Sequence, residues 1–204
     1  MAKLYFRYGA VGSAKSLNLL AVAHNYERQG KRVVVVKPSF DTRFGEFEVA
    51  SRAGLSRQAD LLVDDHTQLD FERFAGVQCV LVDEAQFLSA SVVDQLRDVA
   101  HRLRIPVICY GLRTDFRTRA FPGSLRLLEL ADAIEEVKTT CAFCNSKAIF
   151  NLKHLNGEAT LAGPSKQLGA EETFFGVCSR HYVEQLDLDG FEALAKSEAL
   201  DETP

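Results

Sequence analysis

The sequence has no apolar run long enough to cross a membrane, and its first residues lack the apolar core of a secretory signal. It also has no excess of positive charge, because 28 acidic residues outnumber 24 lysines and arginines and give a net charge of −4. That balance argues against nonspecific binding to nucleic acid or to an anionic membrane. We find no internal repeat. We therefore expect a globular, cytoplasmic protein that binds neither nucleic acid nor membrane.

Cysteines are few and odd in number, with five in 204 residues. Disulfides are rare in a reducing cytoplasm, and Cys79 and Cys109 lie in apolar runs typical of small core residues. The other cysteines form a C-x-x-C pair and, after 33 residues, a C-x-x-H pair: Cys141, Cys144, Cys178 and His181. Two such pairs supply the four ligands of a closed structural Zn²⁺ site. The alternative is four unrelated residues.

The first strong motif is a loop close to the phosphate-binding pattern G-x-x-x-x-G-K-[ST], between a predicted strand and a predicted helix. Its residues are Gly9, Ala10, Val11, Gly12, Ser13, Ala14, Lys15 and Ser16. Backbone N–H groups of such a loop surround a polyphosphate, while Lys15 would neutralise the β- and γ-phosphates and Ser16 would ligate Mg²⁺. Ala14 replaces a glycine. Because positive φ is costly for alanine, we expect Ala14 in an ordinary backbone region at the first helical turn. The alternative is a glycine-rich turn without a ligand.

The second strong motif is an apolar strand that ends in Asp83-Glu84. A carboxylate at this point lies beside the Mg²⁺ of phosphate-loop proteins, so Asp83 is a candidate metal ligand. Glu84 is then free to take the proton from an attacking hydroxyl group. In isolation, the pair could equally cap the next helix.

Two further loops follow predicted strands, where open α/β sheets bind their ligands. In the first, Asp41 and Arg43 either face the phosphates or belong to a solvated surface loop. The second spans residues 111–122 and contains three arginines and two phenylalanines. Its rings could stack on a base and its guanidinium groups could bind phosphate. Alternatively, it is a basic loop that its phenylalanines anchor to the core.

In this order along the chain, these motifs resemble the small, zinc-containing (type II) cytosolic thymidine kinases, particularly bacterial ones. The resemblance runs from about residue 3 to residue 182 and includes the stretches 41–45, 51–55 and 177–182. It implies transfer of the γ-phosphate of ATP to the 5′-hydroxyl of thymidine or deoxyuridine, which gives dTMP in deoxynucleotide salvage. It further implies Mg²⁺, a structural Zn²⁺, a homotetramer and feedback inhibition by dTTP.

The resemblance also assigns residues. Glu84 is the implied catalytic base, and residues 9–16 form the ATP loop together with a second group: Arg43, Asp83, Glu84, Ala85 and Gln86. Residues 112–121 match the lasso that closes over the nucleoside. The implied nucleoside contacts are Phe87, Leu112, Phe116, Phe121, Gly169 and Phe174. Phe174 stands where the family often has tyrosine, so any contact from that hydroxyl is missing here.

The predicted fold is α/β: a P-loop, RecA-like parallel sheet flanked by helices, followed by a small zinc-binding lasso domain. We place the nucleotide-binding domain at residues 1–137, the zinc-binding domain at 138–190 and a tail at 191–204. Residues 66–74 are predicted to form a short helix. Two other functions share these motifs: a nucleic-acid-dependent ATPase or zinc-ribbon binding module, and a nucleotide-sensing switch without a small-molecule acceptor.

Overall fold

The computed structural model describes residues 2–165 and 174–197. In chain order the strands of this part are β1 (Leu4–Tyr8), β2 (Val33–Pro38), β3 (Glu48–Ala50), β4 (Ser56–Gln58), β5 (Leu61–Val63), β6 (Cys79–Val82), β7 (Val107–Gly111), β8 (Ala133–Glu136), β9 (Phe150–Leu155), β10 (Glu158–Ala159) and β11 (Phe174–Val177). The central six-stranded sheet has the order β5-β2-β6-β7-β1-β8. Its described strand pairs are all parallel, so the predicted α/β fold is confirmed.

The helices of the described residues are α1 (Lys15–Arg28), α2 (Ala90–Arg102), α3 (Pro122–Leu130), α4 (Ser179–Gln185) and α5 (Glu192–Ser197). Local sequence explains several of their ends. The Ser89 hydroxyl accepts the Val92 N–H at 3.3 Å and so caps α2. Proline at the first position of α3 costs no hydrogen bond, because that N–H has no helical partner.

The core lies on both faces of the sheet, which explains why its central strands are apolar throughout. Strands β6 and β7 are buried at every position, as are the four valines that begin β2. One face packs against α2 and α3, and the other packs against α1. Continuous β-branched runs are typical of parallel strands covered on both sides. The carboxyl ends of these strands therefore meet at one edge, where the predicted ligand loops lie.

The helix predicted over residues 66–74 is wrong for most of its length. Only one 3₁₀ turn forms, at Phe71–Phe74, with the Asp70 carboxylate accepting the Glu72 N–H at 3.0 Å. Just before this turn, the Asp64 carboxylate accepts hydrogen bonds from the His66 N–H and the Thr67 hydroxyl, so the chain forms a turn there instead of a helix. Such local side-chain bonds favour turns over helix.

The backbone prediction for Ala14 is also wrong. Ala14 has φ 61° and ψ 29°, a left-handed conformation, and it immediately precedes α1. The Lys15 side chain, at the start of α1, folds back onto the carbonyl groups of Gly9 and Ala10. A left-handed residue before the helix gives the loop its sharp turn, and Ala14 adopts it despite its Cβ. Left-handed helical φ costs an L-residue roughly 1–2 kcal/mol.

We therefore expect Ala14→Gly to stabilise the protein. Removing the Cβ relieves the strain, and the extra freedom of glycine in the unfolded chain offsets about 0.5–1 kcal/mol of that gain. The net effect is up to about 1 kcal/mol, or roughly 2–4 °C in the thermal midpoint. Ala21→Gly, at an exposed position inside α1, should instead lower the midpoint. Thermal unfolding of both variants checks the two opposite signs. Destabilisation by Ala14→Gly would contradict this account.

The part predicted to bind zinc, which the structure describes over residues 138–165 and 174–190, forms a small sheet with its own core, and we call it the zinc-binding part. Its strands have the order β10-β9-β11, and the turn at Asn156 and Gly157 joins β9 to β10 as a hairpin. Six residues form the buried cluster, among them Leu152, Val177 and Tyr182. The Phe191 ring, just before α5, lies 5.1 Å from the Phe150 ring. Among the described residues, no helix has the length and apolar character needed to cross a membrane.

Candidate functional site

The site begins at the carboxyl end of β1, where the chain turns through the phosphate-loop motif into α1. The loop is held at its start, because the Gly9 N–H donates to the Gly111 carbonyl of β7 at 3.2 Å. Gly9 must be glycine here: a Cβ would lie 2.4 Å from the Val137 carbonyl oxygen. Residues 11–16 line a cavity of about 460 Å³. Their backbone groups lie at the N-terminus of α1, which favours an anion.

Lys15 is folded back onto this loop. Its Nζ donates to the Gly9 carbonyl at 3.1 Å, to the Ala10 carbonyl at 2.9 Å and to the Ser13 Oγ at 3.2 Å. Burial lowers the pKa of Lys15 to about 8, although the nearby Glu84 and Asp83 carboxylates act in the opposite direction. Because burial disfavours the charged ammonium group, a phosphate beside it would stabilise the charged form.

Ser16 and Asp83 form a candidate Mg²⁺ position. The Ser16 hydroxyl donates to both Asp83 carboxylate oxygens, at 3.1 and 3.2 Å. A hydroxyl and a carboxylate are the oxygen ligands that Mg²⁺ takes beside a nucleotide, so the residues present fit the ion. Burial, followed by the Glu84 charge, raises the pKa of Asp83 to about 7. A cation at this position would favour the ionised form.

Glu84 lies in a network of charged and amide groups at the cavity wall. One of its oxygens accepts the Arg43 Nη2 at 2.5 Å, and the other accepts the Gln86 Nε2 at 2.5 Å. Asp41 holds the far side of the guanidinium, with its Oδ1 at 2.7 Å from Arg43 Nε. Burial opposes the charge on Arg43, but the Glu84 and Asp41 carboxylates outweigh it and raise its pKa. The network fixes the orientation of the Glu84 carboxylate.

The backbone at Glu84 is strained, with φ 48° and ψ 40°. Such conformations cost about 1–3 kcal/mol and persist only where the surroundings impose them. Two glycines provide those surroundings by allowing close packing. A Cβ at Gly111 would lie 2.7 Å from the Gln86 Oε1, and one at Gly123 would lie 2.5 Å from the Ala85 carbonyl oxygen. The strand end is therefore pressed between β7 and α3.

Aromatic rings line the other half of the cavity. The Phe87 and Phe121 rings meet edge to face at 5.5 Å, and the Phe116 and Phe174 rings lie 6.1 Å apart. Gln86 connects this half to the network around Glu84, because its Oε1 accepts the Leu112 N–H at 3.0 Å. A flat apolar group therefore fits next to the carboxylate.

Three buried polar residues that sequence reasoning missed shape the cavity. Lys37 donates to the carbonyls of Gly45 and Glu48 at 3.0 and 2.7 Å and so fixes the loop that carries Arg43. The Asp115 carboxylate accepts the Arg117 and Arg119 N–H groups, each at 2.9 Å, within the 111–121 loop. Asp115 had a local signal, since aspartate often accepts N–H groups two residues on. Lys37 and Asn151 had no such local signal, because the groups to which they hydrogen-bond are distant in the sequence.

Most of the residues predicted to bind ATP or nucleoside come together around one cavity. Those in its lining are Val11, Gly12, Ser13, Ala14, Lys15, Ser16, Arg43, Asp83, Glu84, Gln86, Phe87, Leu112, Phe116, Phe121 and Phe174. Gly9 and Ala10 lie behind the loop and present carbonyls to Lys15. Ala85 is buried in the core instead. Gly169 lies outside the described residues.

The four candidate metal ligands form a second site, in the zinc-binding part. The ligand atoms of Cys141, Cys144, Cys178 and His181 lie within 4.8 Å of one another. His181 Nδ1 is 3.4 Å from the Cys141 sulfur and 3.3 Å from the Cys178 sulfur. Ligands about 2.0–2.3 Å from a tetrahedral Zn²⁺ lie roughly 3.3–3.8 Å from one another, so the donor set fits this ion. Hydrogen bonds from Ser146 lower the pKa of Cys144 to about 6, which favours the thiolate.

Comparison with known proteins identifies the family. A family model described as thymidine kinase matches residues 2–182. A thymidine kinase from Lactiplantibacillus plantarum is 45% identical over 184 residues, covering 89% of this chain and 96% of the relative. One from Lactococcus lactis subsp. lactis is 43% identical, covering 89% and 97%, and one from Streptococcus gordonii is 44% identical, covering 89% and 96%. Since the matched region includes the phosphate loop, the Glu84 network and the cysteine cluster, the chain belongs to the thymidine kinase family.

Proposed function

We propose that this chain transfers the γ-phosphate of ATP to the 5′-hydroxyl of thymidine, with Glu84 as the general base. The observation that carries the proposal is the position of Glu84. Its carboxylate lies at the wall that the phosphate loop shares with the aromatic half of the cavity. A triphosphate on the loop and a flat base between the rings would place a sugar hydroxyl beside that carboxylate. Family membership favours this reaction over a nucleic-acid-dependent ATPase or a sensing switch.

Some of these residues stabilise negative charge in the reaction, and others orient the reacting groups. The loop amides, Lys15 and Arg43 stabilise negative charge on the transferring phosphoryl group, which supplies most of the catalysis in such reactions. Mg²⁺, when held near Ser16 and Asp83, adds positive charge between the phosphates. Glu84 accepts the proton of the 5′-hydroxyl as its oxygen attacks. Gln86 orients Glu84 through its Nε2, which donates to the carboxylate, and it fixes the Leu112 backbone through its Oε1, which accepts the Leu112 N–H.

A nucleoside panel with ATP labelled at the γ-phosphate tests the proposed reaction. We expect label to appear in a monophosphate of thymidine, and also of deoxyuridine, but not of purine nucleosides. The aromatic pocket and its backbone groups would select the base. Failure of every pyrimidine deoxynucleoside to accept label would reject the proposal.

ATP binding is expected to take up protons at pH 8. The pKa of Lys15 is lowered to about 8, and a bound triphosphate raises it, so about half of the sites gain a proton. Asp83, with a pKa of about 7, is about nine-tenths ionised at this pH, so Mg²⁺ releases only about 0.1 proton there. Affinity for ATP should therefore fall as the pH rises through 8.

Calorimetric titration with ATP at pH 8, in two buffers of different ionisation enthalpy, measures this uptake. In the presence of Mg²⁺ we expect a net uptake of about 0.4 proton per site for the wild type, because the release at Asp83 offsets part of the uptake at Lys15. Lys15→Arg is the matched control, because a guanidinium stays protonated and has nothing to take up. Equal uptake by both proteins would assign the proton to another group.

The proposal also covers the location, the assembly, the inhibition and the domain boundaries of the protein. We propose a cytoplasmic homotetramer with feedback inhibition by dTTP, as the family resemblance implies. We also propose a domain boundary between residues 137 and 138, with residues 138–190 forming the zinc-binding lasso domain and 191–204 following it. The Phe191 ring lies 5.1 Å from the Phe150 ring and is stacked on the Tyr182 ring at 6.0 Å, which supports close attachment of α5 to the core of that domain.

A further inference from the structure

Asn151 is a buried amide of the zinc-binding part that bonds to both halves of the cavity. It lies on β9 and is 4% exposed. Its Oδ1 accepts the Val11 N–H of the phosphate loop at 2.8 Å. Its Nδ2 donates to the Thr114 carbonyl of the 111–121 loop, also at 2.8 Å. One side chain thus joins the loop beneath the phosphate position to the loop that lines the base pocket.

Only one orientation of this amide satisfies both bonds. The flipped form would turn the NH₂ group toward the Val11 N–H and the oxygen toward the Thr114 carbonyl, so that both contacts would be repulsive. The two bonds therefore depend on different atoms of the same side chain. A substitution that preserves shape but replaces the donor can break one bond and keep the other.

The neighbouring strand supports the same contact. Gly176 of β11 is paired with Asn151, and a Cβ at Gly176 would lie 2.9 Å from the Val11 carbonyl oxygen. One face of the β9–β11 pair thus binds the Val11 N–H and packs closely against its carbonyl. Because residues 12–16 continue directly from this peptide into the cavity, their orientation depends on it.

We propose that Asn151 is a positioning residue that couples the ATP site to the thymidine site, an inference that rests on the proposed function. When one substrate orders its loop, the shared amide lowers the entropy cost of ordering the other loop. Such coupling is reciprocal: ATP raises the affinity for thymidine by the same factor by which thymidine raises the affinity for ATP. Asn151 transfers neither proton nor phosphate, so its effect falls on binding.

Two variants separate the bonds. Asn151→Asp keeps an oxygen for the Val11 N–H and sets a second oxygen against the Thr114 carbonyl. We expect each KM, measured with the other substrate saturating, to rise about tenfold, equivalent to roughly 1.4 kcal/mol, while the dissociation constant of ATP alone and kcat stay within about twofold. Asn151→Leu removes both bonds and should also weaken the binding of ATP in the absence of thymidine. Thymidine is titrated with and without a non-hydrolysable ATP analogue, and the ratio of the two affinities is the coupling factor. For Asn151→Asp we expect this factor to fall toward one.

Asn156→Asp is the matched control, because it makes the same chemical change at an exposed turn of the same domain; it should retain wild-type KM values. Zinc content and the thermal midpoint are measured for every variant. A purely structural role would lower the folded fraction, and so kcat, without moving either KM; that result rejects the proposal. Wild-type coupling in Asn151→Asp also rejects it. Normal turnover by Glu84→Gln alongside a shifted Asn151→Asp would instead reject only the assigned base.

Discussion

Glu84→Gln is expected to lower kcat by about 10²- to 10⁴-fold, the usual contribution of a positioned general base. The amide keeps the shape of the side chain and an oxygen for the Gln86 Nε2, but it cannot take a proton from the 5′-hydroxyl. Arg43 loses one carboxylate and retains Asp41, which bonds to it at 2.7 and 3.1 Å. The guanidinium therefore stays paired, and we expect ATP affinity to change by less than about fivefold.

Single-turnover phosphorylation of thymidine, together with calorimetric titration of ATP, distinguishes a lost base from a lost site. Glu46→Gln is the control, because it makes the same change at an exposed position of the loop that carries Arg43. Its turnover should match the wild type. If Glu84→Gln phosphorylates thymidine at a near-normal rate, the proton goes to another group and the proposed role of Glu84 is wrong.

The sequence predicted the sheet and the ends of its strands well, because local pattern determines both. Four consecutive valines indicate a strand covered on both faces, and β2 is such a strand. The phosphate loop and the Asp83 strand end each have a fixed spacing that reflects the geometry of a bound phosphate. Their meeting, with the Ser16 hydroxyl 3.1 Å from an Asp83 oxygen, follows from parallel strands ending at one edge.

What sequence reasoning missed depends on contacts between distant segments. Arg43 was assigned to ATP, but its pairing with Glu84, from which it is separated by 40 residues, was not predicted. Asn151 lies in the zinc-binding part, and its partners are in two other loops. Ala14 was expected to avoid a left-handed backbone on the basis of intrinsic preference. The loop instead imposes that conformation, so tertiary structure overrides the local cost.

We expect the zinc-binding part to depend on its metal ion for stability, because its apolar core is small. Its buried cluster contains six residues, and two of them are the candidate metal ligands Cys141 and Cys178, so little apolar surface is buried here. Structural Zn²⁺ sites contribute folding free energy outright, on the order of 10 kcal/mol, so we expect loss of the ion to unfold this part. Because the Tyr182 hydroxyl donates to the Phe116 carbonyl at 2.5 Å, unfolding of this domain would release the wall of the base pocket.

We therefore expect Cys178→Ala to lose zinc and to raise the dissociation constant for thymidine by more than about tenfold, since both Tyr182 and Asn151 lose their places. ATP affinity should fall less, because most of the phosphate loop is held by β1, β7 and α1. Cys79→Ala is the control: Cys79 is also buried but lies in β6, so zinc content and thymidine affinity should remain. Metal analysis and thymidine titration decide the matter. Wild-type thymidine affinity in a Cys178→Ala protein without zinc would show that the pocket does not depend on this domain.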